Sequence, residues 1–374
     1  MAITVKTQAF KSMGFMQQFC QNHRTSVLQF YTAKNIEHYM TAKPTYHTRR
    51  AQYEIDRCDP QNRAIESGKI GFCALSKGHY PGTPMSKNVL PGLNSIGFMN
   101  ASGTPDWGFD AHRNEGIEIT FLETGRMVFS VERKKFDLRA GDFTITRPWQ
   151  LHKLGAPNIG PGRLHWMILD VGVRRPHQNW RWPAWLVLTK ADLAELTRKL
   201  RHNESPVWST TPAITHSFRE LARTVEAWDK PHAISRLATH LNQLFLSLLD
   251  ALSEQQTQEI PGLTSRQRTV ELFLYEVENR PAVSRKSWTI STMAEHCGMG
   301  VTAFSKYCRE LVNTSPMEYL SQCRLKSAAY QLRTEPQVSI TEIAYRHGFN
   351  ASQYFATCFL RQFGRSPREY RQGK

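Results

Sequence analysis

Apolar and polar residues change their period along the chain. Between Gly116 and Leu169 the apolar positions alternate in short runs: Ile117-Glu-Ile-Thr-Phe-Leu122, Met127-Val-Phe-Ser-Val131, Phe136-Asp-Leu138, Phe143-Thr-Ile-Thr146 and Leu164-His-Trp-Met-Ile-Leu169. A period of two, interrupted by Thr124-Gly125, Ala140-Gly-Asp142 and Arg147-Pro148, predicts the short strands of a small antiparallel barrel or sandwich. Ahead of them, frequent glycine and proline from Gly68 to Pro105 read as loops leading into that β-rich region. After Trp180-Arg-Trp-Pro-Ala-Trp185 the period becomes helical. Thr189 caps a predicted helix with Leu193, Leu196 and Leu200 on one face. Pro231 precedes another with Leu237, Leu241, Leu244, Leu248 and Ala251 at alternating four- and three-residue steps. Two heptads fit a helix packed on its own domain as well as a coiled-coil seam, and the expectation carried forward is dimerisation through that seam. Residues 253–262 are polar, end in Pro-Gly and read as a linker.

The C-terminal segment repeats itself. Ile290, Ala294 and Gly298 recur fifty residues later as Ile340, Ala344 and Gly348. With one residue inserted in the turn, Phe304, Ser315, Pro316, Glu318 and Tyr319 recur as Phe355, Ser366, Pro367, Glu369 and Tyr370. Each copy has the logic of a helix-turn-helix. In the second, Ser339 and Glu342 form a capping box, Ala344 permits close helix approach, and Gly348 ends the first helix at positive φ. Phe355, Phe359 and Phe363 then face inward from a second helix. Gly364 ends that helix, and Asn313 takes its place in the first copy. A long helix from Pro316 to Arg333 would hold the two units at a fixed separation, as two helices entering successive major grooves about 34 Å apart require.

The chain has 374 residues, room for two or three domains, and a formal charge of +16, which calls for an acidic partner. Between Gly262 and Lys374, sixteen Lys and Arg stand against nine Glu and no Asp, so the repeat region is itself basic. The seven cysteines include no Cys-x-x-Cys pair, which fits reduced thiols better than a disulfide framework or a zinc site. No apolar stretch reaches the eighteen or so residues of a spanning helix, and a cytoplasmic protein without membrane association is expected.

Arg324-Leu-Lys-Ser-Ala-Ala-Tyr-Gln-Leu332, Ile340-Thr-Glu-Ile-Ala344, His347-Gly-Phe349, Tyr354-Phe355, Phe359 and Gly364-Arg-Ser-Pro-Arg-Glu-Tyr-Arg371 resemble the signature of the arabinose-regulator (AraC/XylS) family of bacterial transcription factors. The resemblance covers about residues 265–372. It implies a sequence-specific regulator that binds a double-stranded DNA operator and is not an enzyme. Base contacts then fall on Thr302, Ser305 and Lys306 in the first recognition helix and on Gln353 and Thr357 in the second, with Ser352 on the same DNA-facing side. Gln353 can read adenine bidentately and Lys306 can donate to guanine. Arg309, Arg361 and Arg365 suit phosphate, positioning without specifying. Thr302 and Thr357 stand where family members often carry larger or basic side chains.

His112-Arg-Asn-Glu-Gly-Ile-Glu118, Gly125, Leu138-x-x-Gly-Asp142 and Arg147-Pro-Trp-Gln-Leu-His152 resemble the cupin-like effector domain often joined to such a unit. Metal-binding cupins use His-x-His, a Glu and a later His. Here Asn114 replaces the second His, leaving His112, Glu118 and His152 as a two-His, one-carboxylate set. The expectation taken is a metal-free pocket with no cofactor, in which Arg113, Glu118, Trp149, His152 and Trp166 bind a small effector such as a sugar or polyol. The alternative is a metal-dependent cupin enzyme fused to a DNA-binding domain. The predicted architecture is an α+β multidomain chain: a poorly ordered basic extension (1–65), a cupin-like β domain (66–188), a helical dimerisation segment (189–253), a linker (254–264), and an all-α double helix-turn-helix domain (265–374) with units at about 289–311 and 339–363. A homodimer is expected, with RNA polymerase a further partner if the protein activates.

Overall fold

The computed structural model describes residues 45–47, 52–54 and 59–373, apart from 103–105, 133, 156 and 255–258. The expected disordered extension lies mostly outside the described residues. Its last part is a helix, α1 (Asp59–Glu66), preceded by a short antiparallel pair, β1 (Thr45–His47) and β2 (Gln52–Glu54).

The β region comprises β3 (Ile70–Ser76), β4 (Thr83–Pro84), β5 (Leu93–Ala101), β6 (Ile117–Val131), β7 (Lys134–Arg139), β8 (Asp142–Thr146), β9 (His152–Leu154), β10 (Gly162–Leu169) and β11 (Val207–Ser209). The main path runs β11-β8-β6-β10-β5-β3-β4. Thr124-Gly125 does not end a strand as expected. The chain bends there and continues as one strand, because Gly125 adopts φ 92° and a side chain in its place would collide with the Pro161 carbonyl. The first half of β6 pairs with β10 and β8, and the second half with β7 and β9. One long strand therefore closes the sheet around its own interior.

Alternation sorts the side chains into two cores. On β10, Leu164, Trp166 and Ile168 join the interior cluster, whereas Met167 and Leu169 face the helices on the other side. These helices are α2 (Lys190–His202), α3 (Pro212–Glu226) and α4 (Ala233–Glu254). The apolar seam of α4 is spent inside its own protomer. Leu237, Leu241, Leu244, Leu248 and Ala251 are all 2% exposed or less and pack into the core shared with α3 and the sheet. The seam expected to dimerise is thus the inner face of a packed helix, since a heptad pattern marks a buried face without naming what buries it. Trp180, Trp182 and Trp185 pack against the same core.

A 3-10 turn (Pro261–Thr264) leads into α5 (Arg266–Asn279) and the short α6 (Pro281–Ser284). The first repeat is α7 (Ile290–His296) and α8 (Val301–Val312). Then come α9 (Pro316–Thr334), the second repeat as α10 (Ile340–Arg346) and α11 (Ser352–Phe363), and α12 (Pro367–Arg371). The copies match to the residue: seven-residue first helices, twelve-residue second helices, left-handed ends at Asn313 (φ 53°) and Gly364 (φ 70°), and serine caps at Ser315 and Ser366. Ser339 accepts from the Glu342 backbone, but the Glu342 carboxylate turns to Arg346 at 2.6 Å, so only half the expected capping box forms. Two separate apolar clusters result. One gathers α5, α7, α8 and the start of α9; the other gathers the rest of α9, α10 and α11.

Candidate nucleic-acid interface and sheet-domain cavity

On α8 the inward residues are Phe304 and Cys308, fully buried, and the outward ones are Thr302, Lys306 and Arg309. Ser305 is half-buried between them. On α11, Phe355 and Phe359 are buried while Gln353, Thr357 and Arg361 are exposed, with Ser352 half-buried at the first turn and Arg365 exposed just past the end. The helix period alone enforces this division. Lys306 lies 3.9 Å from Glu310, a solvated pair that leaves its ammonium available. Thr357 donates to the Gln353 carbonyl at 3.0 Å, which occupies its hydroxyl proton. Tyr354, 60% exposed on α11, was read from the sequence only as part of the family signature and not among the DNA-facing residues.

Inside the sheet lies a partly open cavity of about 50 Å³. Glu118, Thr120, Thr144 and Thr146 line it from β6 and β8, where cross-strand pairing sets Glu118 opposite Thr146 and Thr120 opposite Thr144. His112, Asn114, His152, Trp166 and Tyr80 complete its polar and aromatic wall. The Glu118 carboxylate accepts from Asn114 at 2.7 Å and meets His152 Nε2 at 2.7 Å. Burial alone would raise its pKa, but His152, His112 and Asn114 outweigh burial and hold the carboxyl below the usual glutamate range. His112 Nδ1 and His152 Nδ1 reach backbone carbonyls at Asp110 (2.8 Å) and Gln150 (3.1 Å). These contacts fix the orientation of both rings, and on His152 the opposite nitrogen, Nε2, is the one that meets Glu118. Thr146 Oγ1 is buried without a hydrogen-bond partner.

Two of the five expected effector residues are elsewhere. Arg113 points away from the cavity, donating to the Trp149 carbonyl at 3.1 Å and pairing with Glu276 of α5 at 3.0 Å. Trp149 is buried in the helix-side core. Both sit in irregular segments, where alternation does not apply. Trp166 lines the cavity, with its indole N–H given to Ser95 at 2.9 Å. The threonines and Ser95 were missed, although strand alternation puts them on the same face as Glu118 and Trp166.

His112, Glu118 and His152 offer ligand atoms all within 4.8 Å of one another. The donor set fits a divalent transition ion: two imidazoles oriented by backbone carbonyls and one carboxylate, the usual arrangement of supporting hydrogen bonds around such sites. The orphaned Thr146 hydroxyl is a ready partner for an ion-bound water.

Besides the Arg113–Glu276 pair, the sheet domain grips the helical region beside the first helix-turn-helix. Arg175 donates to the His296 carbonyl at 3.0 Å and also to its Nε2. His177 bonds Thr269 at 2.7 Å, and Arg268 pairs with Glu204 at 3.3 Å. His177 lies 3.5 Å from where a side chain on Gly298 would begin, so this loop covers the turn of the first helix-turn-helix.

A helix-turn-helix domain model matches residues 293–373 and a cupin domain model matches residues 103–171. The HTH-type transcriptional activator RhaS of Escherichia coli O1:K1 is 28% identical over 271 residues, spanning 72% of this chain and 90% of that protein. Among solved structures, the C-terminal domain of AraT, a response regulator from Geobacillus stearothermophilus, matches 28% of this chain and 85% of its own at 25% identity and TM-score 0.26. Apo ToxT from Vibrio cholerae matches 75% and 97% at 12% identity and TM-score 0.33. No helix among the described residues is long and apolar enough to cross a membrane. The chain thus joins a cupin domain to an AraC-type helix-turn-helix domain and is homologous to RhaS, an AraC-family transcription regulator.

Proposed function

We propose that the chain reads an operator with both recognition helices, and that an occupant of the sheet-domain cavity adjusts how those helices are presented. The two-helix reading rests on one observation. The repeat sets Thr302 and Lys306 on α8 at the same outward positions as Gln353 and Thr357 on α11, with Arg309 and Arg361 also exposed on the two helices, one position apart in the shared frame. Gln353 and Lys306 supply base-edge hydrogen bonds, Ser305 and Ser352 short hydroxyls, the threonine methyls apolar contact with thymine, and Arg309, Arg361 and Arg365 phosphate contacts. Gln353→Ala is expected to cost about 1–3 kcal/mol and relax preference at one base pair. Arg361→Ala is expected to weaken all sequences alike and lower the salt slope by about one. Unchanged affinity and preference in the glutamine variant would reject the α11 assignment.

The occupant is a regulatory ligand, not a substrate, in keeping with relatives that are transcription regulators. Size narrows its identity. A cavity of about 150 Å³ takes benzene, so about 50 Å³ accommodates an ion with its waters but no hexose unless the walls part. A divalent transition ion on His112, Glu118 and His152 is therefore favoured over a sugar or polyol. Arg113, adjoining His112, carries the cavity wall to Glu276 and gives the route to the helical region. Such a ligand regulates only through unequal affinity for two presentations of the helices, and a coupling of about 1–3 kcal/mol changes operator affinity roughly 5–150-fold. Calorimetric titration with manganese, iron(II), nickel and zinc, beside a thermal-shift screen of polyols, tests this on wild type and Glu118→Ala. Metal binding abolished by Glu118→Ala supports the ion. A polyol hit abolished by the same substitution replaces it, and a hit equal in both proteins clears this cavity of the role.

A further inference from the structure

The two helix-turn-helix units share no apolar core. Along α9 the change from one cluster to the other falls between Cys323 and Leu325. Arg324 stands at that change. Its Nε donates to the Ser284 carbonyl at 2.8 Å, and one terminal nitrogen donates to the Lys286 carbonyl at 2.7 Å, both just before the first unit. The other donates to the Gly348 carbonyl at 2.9 Å, in the turn of the second. A side chain on Gly348 would start 2.9 Å from the guanidinium carbon, so the turn is shaped around this group. Beside it, buried His347 bonds the Ile343 carbonyl through Nδ1 at 2.9 Å. Its Nε2 faces Ser327 at 3.1 Å and Arg285 at 3.4 Å. Dispersion contacts slide at little cost, whereas a planar fork satisfied by three carbonyls on two segments fixes distance and angle together.

We propose that Arg324 is a positioning residue that sets the separation and twist of the two recognition helices, and hence the spacing of operator elements the protein accepts. This rests on the reading that both helices contact DNA. One base pair shifts the second element by about 3.4 Å and about a tenth of a turn. A rigid pair of helices cannot follow that change, and a pair hinged on α9 alone follows it in part.

The test uses a duplex selected by the full chain from a random-sequence library, with versions carrying one base pair more or fewer between the two protected segments. Wild type is expected to lose about tenfold or more on either change, comparable to a mismatched contact. Arg324→Ala is expected to bind the selected duplex more weakly and to lose no more than about threefold on respacing. Arg324→Lys keeps the charge without the fork and is expected to behave like the alanine variant. A lysine variant that restores wild-type spacing preference would assign the arginine a charge role and overturn the proposal, as would undiminished spacing preference in Arg324→Ala. Should the alanine variant not fold, Arg324→Gln and Arg285→Ala carry the same comparison. Footprints of Lys306→Ala and Gln353→Ala separate the two levels. If one leaves its protected segment and the affinity unaltered, the two-helix reading fails; if both matter and spacing preference still ignores Arg324, only this inference fails.

Discussion

The two helix-turn-helix units are nearly the same object locally and different objects in the molecule. Helix lengths, caps and left-handed ends coincide, and Phe304 and Phe355 are equally buried. Yet the hydrogen bonds and ion pairs that reach the sheet domain come from α5 and the turn of the first unit. The polar contacts of the second run mainly to α9 and the segment after it (His347 to Ser327, Arg346 to Glu335, Gln362 to Gln322), with one from His347 to Arg285 ahead of the first unit. Local sequence determines what a repeat is, and its neighbours determine what it is answerable to. The first unit is the one seated on the sheet domain, and the second is joined to it through α9.

The sharpest way to break this comparison is to remove one core at a time. Phe355→Ala should cost about 3–5 kcal/mol and expose the amides of 340–370 to hydrogen exchange while α5, α7 and α8 stay protected. Phe304→Ala should instead open the first unit and its seat on the sheet domain. Uniform loss of protection from either variant would mean one cooperative core where the clusters show two. Next come the equivalent glycines. Both hold positive φ, so alanine costs about 1–2 kcal/mol at either. At Gly348 it also displaces Arg324, whereas at Gly298 the nearest atom is 3.5 Å away. Chemical denaturation should therefore rank Gly348→Ala as the more damaging by about 1 kcal/mol or more; equal losses would deny the packing difference.

Acid gives the smallest effect and the finest distinction. Burial, with the charges of Arg175, Lys286 and Arg113, holds His296 well below the ordinary histidine range. Burial also lowers His347 in the second unit. A histidine depressed in the fold stays neutral there, while the unfolded chain takes up a proton as pH falls through about 6.5. Below that pH the unfolded state binds more protons, so stability is lost on acidification, by up to about 1.4 kcal/mol per pH unit for each such group. His296→Gln should flatten this loss for the first unit and its seat and leave it in the second; His347→Gln should do the reverse. Exchange protection at about pH 7.5 and pH 5.5 reads both, and one flat profile for both units would refute the assignment.

Much of the helical region was legible because caps and turns are local codes. Asn313 and Gly364 were read as left-handed ends, and their φ values of 53° and 70° agree. Glu118 and Trp166 were legible as facing the cavity because they lie on strands, where every second residue shares a face. Arg113 and Trp149 were misplaced because they lie outside strands. The leucines of α4 were recognised as one face, but nothing in their spacing distinguishes a second copy of the chain from the chain's own sheet. The cavity's volume, on which the proposal of an ion over a sugar rests, comes from how whole walls approach one another.

The nineteen-residue α9, about 28 Å long, also bears on avidity. On the proposed reading, Thr302 and Thr357 are short side chains where a longer one would reach further, which leaves each helix few direct bonds to bases. A tether that already spans the distance between two sites presents the second at a high effective concentration once the first is engaged, and the gain can reach about 10²–10⁴-fold without any new contact. Two weak readers on a stiff rod can therefore equal one strong reader, while either alone lets go of wrong sequences quickly.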